Sequence, residues 1–536
     1  MHAPNQKFEI PQFRSFVPEW LRPWIVILFV IIVQFSGGVY LAAASEMVGS
    51  TQLLNEDIMM AGYASLVGMA LFFGMMFRVK FAVKSRTTLL LCGAVIVVAN
   101  LILMSTKSVP VLVGVSFVAG FFRMWATFEC NSTIQLWLTP KRDLSVFFCY
   151  VYLIVNSAIQ LSGIAAIFFS VWASWHFMHY FIVAALLVMM LLVMLLYKDV
   201  RTMPNLPLYG IDWLGMAMWG ITALSVLFIC IYGEYYDWWY AWQIRTATLC
   251  AIVSLALNLW RASFIRHPYI MLDTLRQPIV PITIAIMIIA DTLLAPSHIF
   301  EHALMEGILG YDAENMISLN WVAFFATIVA VIFTWLTFAR RKWSYQRMFV
   351  IAFSAIAFYL AYFYFTIDYN LPKESLYLPI FARTFGYIIV AVAVLTSLTR
   401  LPFPFHFMQG VMMQNLFSAS LAGVIGTTIV ARLLKVVMAR NAMWLSEGID
   451  SVAVSRLHAP LLPIYGEVQV QALLESMKEI YGWLLWLAIV AIIALGVRYS
   501  GVRPKDVIHP TFKGISLAIG IAIRPIRRLI RRKNAM

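Results

Sequence analysis

About fourteen apolar stretches, most of them roughly 18 to 25 residues long, fill almost the whole chain, and each can cross a ~30 Å hydrocarbon layer as a helix. They cover residues 23–45, 58–77, 87–105, 110–138, 145–170, 176–197, 211–233, 244–264, 279–301, 315–338, 346–366, 377–399, 407–437 and 480–499. The pattern predicts an all-α polytopic membrane protein, because backbone groups in lipid must be satisfied internally and a helix does this within one segment. The connections are short and leave no room for a separate soluble domain.

Of 536 residues, 62% are hydrophobic and 12% charged, so a bilayer rather than water is the solvent. The stretch before Pro23 carries Lys7, Arg14 and Arg22 but no small-residue cleavage site, and the first helix is expected to stay. Positive residues fall in alternate loops: Arg78, Lys80, Lys84 and Arg86; Lys141 and Arg142; Lys198 and Arg201; Arg261, Arg266 and Arg276; Arg340, Arg341, Lys342 and Arg347. The intervening loops hold Glu46, Glu56, Asp57, Glu234, Asp237, Glu301, Glu306, Asp312 and Glu314. Positive loops stay inside, which predicts a multi-pass protein of the cytoplasmic (inner) membrane with both termini cytoplasmic. The net charge of +14 is then mostly topology, and no nucleic-acid partner is expected. The basic tail, with Lys513, Arg524, Arg527, Arg528, Arg531, Arg532 and Lys533 between isoleucines and leucines, is expected to lie on the anionic inner leaflet or to be a disordered topology signal.

Ionisable groups inside spans need a partner or a wet cavity, so they are the first functional candidates. The fourth span has Arg123 near its middle and Glu129 almost two turns on. Ser116, Gly120, Arg123 and Thr127 form one stripe, and Trp125, Glu129, Ser132 and Thr133 a second. The ninth span carries Asp291 close to the midplane, the twelfth Arg383, and the fifth Asn156 and Gln160 one turn apart. Each could instead be a structural ion pair or interhelical glue. Trp125, Phe128 and Tyr40 offer aromatic surface for planar or amphipathic cations, or are ordinary packing residues.

His298, Glu301 and His302 spell H-x-x-E-H, the spacing of inverted zinc peptidases. The motif sits at the outer end of a span with no evident third ligand, so a pH-sensitive gate or a plain interfacial helix end is expected instead of a metal site. Cys92, Cys130, Cys149, Cys230 and Cys250 have no metal-ligand spacing and imply no disulfide framework. No phosphate loop, nucleophile elbow or paired CxxC is present, so neither an enzyme nor a cofactor is expected, and a gradient would supply any energy needed.

The chain resembles the fourteen-span drug:proton antiporters of the major facilitator superfamily, the group containing the EmrB-type exporters. Asp212, Trp213, Gly215 and Gly220 with Arg266, His267 and Pro268 are similar to that family's inserted helix pair. Pro296 and Gly310 to Ala313 echo its outer loop, Arg383 to Gly386 its "RGxG", and Gly423, Gly426 and Thr427 its "GgxxGT". Thr139 to Arg142 loosely match "pPxxR". No acid stands at 36–38, and Ser116 replaces the expected fourth-span Arg, with Arg123 seven residues on along the same face.

The resemblance implies a major facilitator fold of 14 transmembrane helices. It would comprise a six-helix bundle over 1–203, an inserted hairpin over 204–276, a second bundle over 277–500 and the tail 501–536, with internal inverted repeats. It also implies alternating access with spans 1, 4, 9 and 12 lining the cavity, which places Arg123, Glu129, Asp291 and Arg383 on the transport path. The implied function is export of amphipathic or drug-like molecules coupled to proton influx. The alternatives are a lipid, fatty-acid or siderophore exporter and, more distantly, a membrane-bound sensor or zinc enzyme. Implied partners are membrane lipids, a small-molecule substrate, protons, and a periplasmic adaptor with an outer-membrane channel.

Overall fold

The computed structural model describes residues 12–499 apart from 38–40, 42–43, 140–142, 200–210, 266, 370, 403–404 and 448–460. Tyr40, the loop Pro140 to Arg142, Arg266 and the basic tail lie outside the described residues.

The chain opens with a strap, residues 12–21, whose Phe13 packs on Tyr197 with ring centroids 4.6 Å apart. Helices α1 (Arg22–Phe35), α2 (Ala44–Thr51), α3 (Asn55–Phe72), α4 (Met76–Ala82), α5 (Ser85–Ser105), α6 (Val109–Leu138), α7 (Leu144–Trp172) and α8 (His176–Leu196) follow. Next come α9 (Trp213–Tyr232), α10 (Trp242–Phe264) and the short α11 (Leu272–Leu275). The remainder holds α12 (Ile279–Leu294), α13 (Pro296–His302), α14 (Ala313–Thr334), α15 (Tyr345–Thr366), α16 (Tyr377–Ser397), α17 (Phe405–Gln414), α18 (Gly423–Glu447) and α19 (Leu461–Arg498).

Twelve of the described helical segments are long and apolar enough to cross a membrane. Of the fourteen expected stretches, the first two are the ones that have no helix among these twelve. The stretch 23–45 is not one helix, because α1 ends at Phe35 after 14 residues and the backbone N–H of Ser36 turns back to the Val33 carbonyl. Helix α3 lies under 58–77 but opens on Asn55, Glu56 and Asp57 and is not among the twelve. At the other end, the stretch 480–499 is only the inner part of α19, whose 38 residues far exceed the roughly 20 that a span needs. Its polar first half stays helical by pairing with α18, where Asn441 donates to Ser476 at 3.0 Å and Arg440 to Glu479.

Local chemistry explains several helix starts. Asp143 accepts from the Ser145 amide at 3.0 Å, and Asp212 from the Gly215 amide at 2.9 Å, satisfying orphan donors at the α7 and α9 N-termini. Proline opens α1, α6 and α13, where its missing N–H has no intrahelical partner to lose.

One buried apolar cluster draws on α1, α3, α5, α6, α7 and α8, and a second on α12 to α16, α18 and α19. A third joins α3, α7 and α9 to α12, α14, α16, α17 and α18. Polar ties cross the same seam: Lys342 donates to Asp143 at 2.7 Å, and Ser420 to the Leu66 carbonyl at 3.3 Å. The α9–α10 hairpin is internally held by Thr222 and Ser254 at 2.7 Å and by Asn258 on the Gly215 carbonyl at 3.3 Å. It sits beside the seam, against α3 and α18.

Candidate functional site

Helix α12 brings Asp291 to the seam. Its carboxylate is half-buried and accepts from the Ser418 hydroxyl at 3.3 Å. Its field reaches the phenol groups of Tyr63 on α3, Tyr152 on α7 and Tyr387 on α16, so three helices besides its own, together with the Ser418 segment, stand within reach of this one acid. Ser418 comes from the segment between α17 and α18, and Gly426 one turn into α18 lets that helix pass close by. A Cβ on Gly426 would stand 3.2 Å from the Thr292 Cα.

Ten residues further along, or about 15 Å of helix, a second group forms around Glu301. Glu301 is buried, pairs with Arg383 at 3.1 Å and accepts from the Tyr359 hydroxyl at 2.8 Å. The Arg383 guanidinium lies 5.9 Å from the centre of the Tyr359 ring. His298 is exposed and within electrostatic reach of Arg383. Asp291 and His298 share a helix face at a spacing of seven, and Arg383 and Tyr387 share one at a spacing of four. The two acids are therefore joined by facing polar stripes on α12–α13 and α16.

Arg123 and Glu129 belong to neither group, nor to one another's. Arg123 donates to Gln34 on α1 at 2.9 Å, and Gln34 donates to Thr127 at 2.8 Å. Glu129 is buried and ion-paired with Lys80 on α4, and Thr133, one turn beyond, donates to Gln12 of the N-terminal strap at 3.1 Å. Trp125 and Phe128 pack with Phe72 between α3 and α6, their rings 6.0 and 6.3 Å from it, in an aromatic cluster apart from Asp291. Asn156 donates to the Tyr152 carbonyl at 3.2 Å, and Gln160 is half-buried one turn on. His302 pairs with the neighbouring Glu306 at 3.2 Å. No group of three or more His, Cys, Asp or Glu that could hold a metal occurs among the described residues.

Sequence reading missed Tyr63, Tyr152, Tyr359, Tyr387, Ser418 and Gln34. In a chain that is 15% aromatic nothing distinguishes these tyrosines from packing residues, and a serine inside an apolar span carries no charge to flag it.

No family model matches the chain, and neither does any curated protein. Solved structures do. A peptide transporter POT in complex with sulfate superposes with a TM-score of 0.59 at 13% identity, over 92% of this chain and 97% of that one. The nucleoside transporter NupG (D323A mutant) gives 0.52 at 11% identity, over 89% and 100%. A bacterial homolog of the human lysosomal transporter Spinster, inward-facing and unoccupied, gives 0.51 at 14%, over 91% and 98%. At these identities the likeness is one of fold. The protein has a major facilitator fold and is a multi-pass membrane protein.

Proposed function

We propose that the protein is a secondary active transporter that exports amphipathic or drug-like molecules by alternating access, coupled to proton influx through Asp291. The observation that carries this reading is the convergence of α3, α7, α16 and the Ser418 segment on that single carboxylate. An acid at a seam between two moving bodies changes its surroundings with each conformational cycle. Drier surroundings favour its protonated form and wetter ones its ionised form, so it can take a proton on one side and release it on the other. Tyr63, Tyr152 and Tyr387 supply ring faces and hydroxyls for a planar cation that competes with the proton. Arg123 and Glu129 act in this reading as supports of the α6 wall.

The finer architecture belongs to the same proposal. Helices α1 and α3 complete fourteen spans, with bundles over 1–203 and 277–500, the inserted hairpin between them and both termini on the cytoplasmic side of the inner membrane. The long outer ends of α18 and α19 are where a periplasmic adaptor would dock. The protein is not an enzyme in this reading.

A second reading, export of a fatty acid, lipid or siderophore, is favoured by Arg383, which could exchange Glu301 for a substrate carboxylate next to His298. Proteoliposomes carrying wild type or Asp291→Asn separate the two readings. Under an imposed pH gradient, tetraphenylphosphonium uptake with proton movement in wild type and neither in the variant supports the first. Flux of a long-chain fatty acid, retained in Asp291→Asn and lost in Arg383→Gln, supports the second. Equal flux in all three sinks both.

A further inference from the structure

The helix that faces Asp291 is irregular at the point of contact. Between α17 and α18, residues Asn415–Ala422 form a π-helix, a wider turn with poorer hydrogen-bond geometry that occurs mostly at functional sites. Two other π-helical turns, Ala303–Ile308 and Trp335–Arg340, lie at the ends of their spans. This one lies inside the segment 406–447, in its first half.

Two buried serines sit within it. Ser418 donates to the Asp291 carboxylate at 3.3 Å, on the same half of the molecule. Ser420 donates to the Leu66 carbonyl of α3 at 3.3 Å, across the seam, and to the Asn415 carbonyl five residues back at 3.2 Å. Both contacts are long for O–H···O bonds, so each is weak enough to be exchanged. Rewinding the segment to α would shift the register by one residue and turn α17 by about 100° relative to α18. The contact to Asp291 and the contact to Leu66 cannot both survive that change, while Gly426 keeps α18 seated on Thr292.

We propose that Ser418 and Ser420 are positioning residues, and that this π-helical segment couples the protonation state of Asp291 to the seam with α3. Ser418 holds the ionised carboxylate, and Ser420 releases Leu66 when the segment rewinds. The proposal rests on Asp291 as the coupling carboxylate. The other titratable groups within its reach are the phenols of Tyr63, Tyr152 and Tyr387, which ordinarily stay neutral at physiological pH.

Hydrogen exchange of the full-length protein in liposomes, followed by mass spectrometry over about pH 5 to 9, tests this without a substrate. Wild type is expected to show intrinsic-rate-corrected exchange at 415–422 that changes with pH around one midpoint, and Asp291→Asn to abolish that dependence. Ser418→Ala should move the midpoint to higher pH by about half a unit or more, since a hydroxyl bonded to the charged form favours it, and Ser418→Thr should restore it. Ser420→Ala should raise exchange around both 415–422 and Leu66 without moving the midpoint. If Ser418→Ala leaves the midpoint in place while Asp291→Asn still abolishes it, the serine assignment is wrong and Asp291 stands. If wild type and Asp291→Asn behave alike, the reading of Asp291 itself fails.

Discussion

The Tyr269 hydroxyl donates to the Leu71 carbonyl, tying the segment that follows the inserted hairpin to the end of α3. Leu71 is among the last four residues of α3, whose carbonyls have no partner within the helix, so Tyr269 serves as a cap supplied by a distant part of the chain. The same residue is held from the other half, where Gln409 on α17 donates to the Tyr269 carbonyl at 2.9 Å and accepts from the Met271 amide at 3.1 Å. Tyr269→Phe keeps the buried ring and removes the cap. We expect a loss of about 1–2 kcal/mol, seen as a drop of a few degrees in melting temperature in detergent. An unchanged melting curve would show that the cap is dispensable.

At the opposite end of α9 the hairpin is tied to α18. Glu234 accepts from Lys435 at 2.6 Å and from Arg432 at 3.3 Å, while Tyr232 donates to Asp57 on α3. Burial pushes the Glu234 carboxyl up, but the hydrogen bonds from Lys435 and Trp238 and the charges of Lys435 and Arg432 outweigh it and hold the group below the ordinary value of 4.5. A carboxyl lowered on folding contributes stability above its unfolded pKa and loses it as pH falls through the folded one. Wild type should therefore lose melting temperature relative to Glu234→Gln as pH drops below about 4.5, and the gap between the two proteins should be constant from pH 6 to 8. A gap that does not narrow in acid contradicts the assignment.

Helices α3 and α6 cross with their backbones in contact. A Cβ on Gly120 would stand 1.9 Å from the Ser65 carbonyl oxygen, and one on Gly68 2.1 Å from that of Phe117. Backbone cannot yield as a side chain does, so Gly120→Ala should destabilise by 3 kcal/mol or roughly more, well above the usual overpacking loss. Gly114 on the same helix has open space around it, and Gly114→Ala should be neutral or mildly stabilising. Monodisperse yield by size-exclusion chromatography compares them, and equal yields would refute the close crossing.

Glu301 and Arg383 form the most enclosed acid–base pair on α13 and α16, with side-chain exposures of 7% and 23%. Removing one partner leaves an uncompensated charge, so Glu301→Gln and Arg383→Gln should each cost several kcal/mol. The double variant should recover much of that loss. A thermal-stability double-mutant cycle reads the coupling, and additive effects would mean that the two groups are solvated independently.

Spans were legible because burial in lipid demands long apolar runs, and α5 to α10 begin and end within a few residues of the stretches read from hydropathy. The misjudged elements have a common cause. Window hydropathy averages over Ser36, Gly37 and Gly38 and so ran α1 through a helix end, and it stopped at the charged residues of α19, which are helical because α18 pairs with them. Asp291, Glu129, Arg123 and Arg383 were visible as charges out of place, but their partners were not. Lys80, Gln34, Glu301 and Ser418 are 49, 89, 82 and 127 residues away along the chain.

The amino-acid sequence by itself determined that this is a helical membrane protein, where most of its spans run and which charges are out of place in lipid, because each of these depends on the chemistry of one contiguous segment. Only the tertiary structure decided that Glu301 neutralises Arg383, that Arg123 and Glu129 serve separate networks, and that Tyr63, Tyr152, Tyr387 and Ser418 surround Asp291. Those are relations between helices brought together by packing, and no local pattern of residues encodes which faces meet.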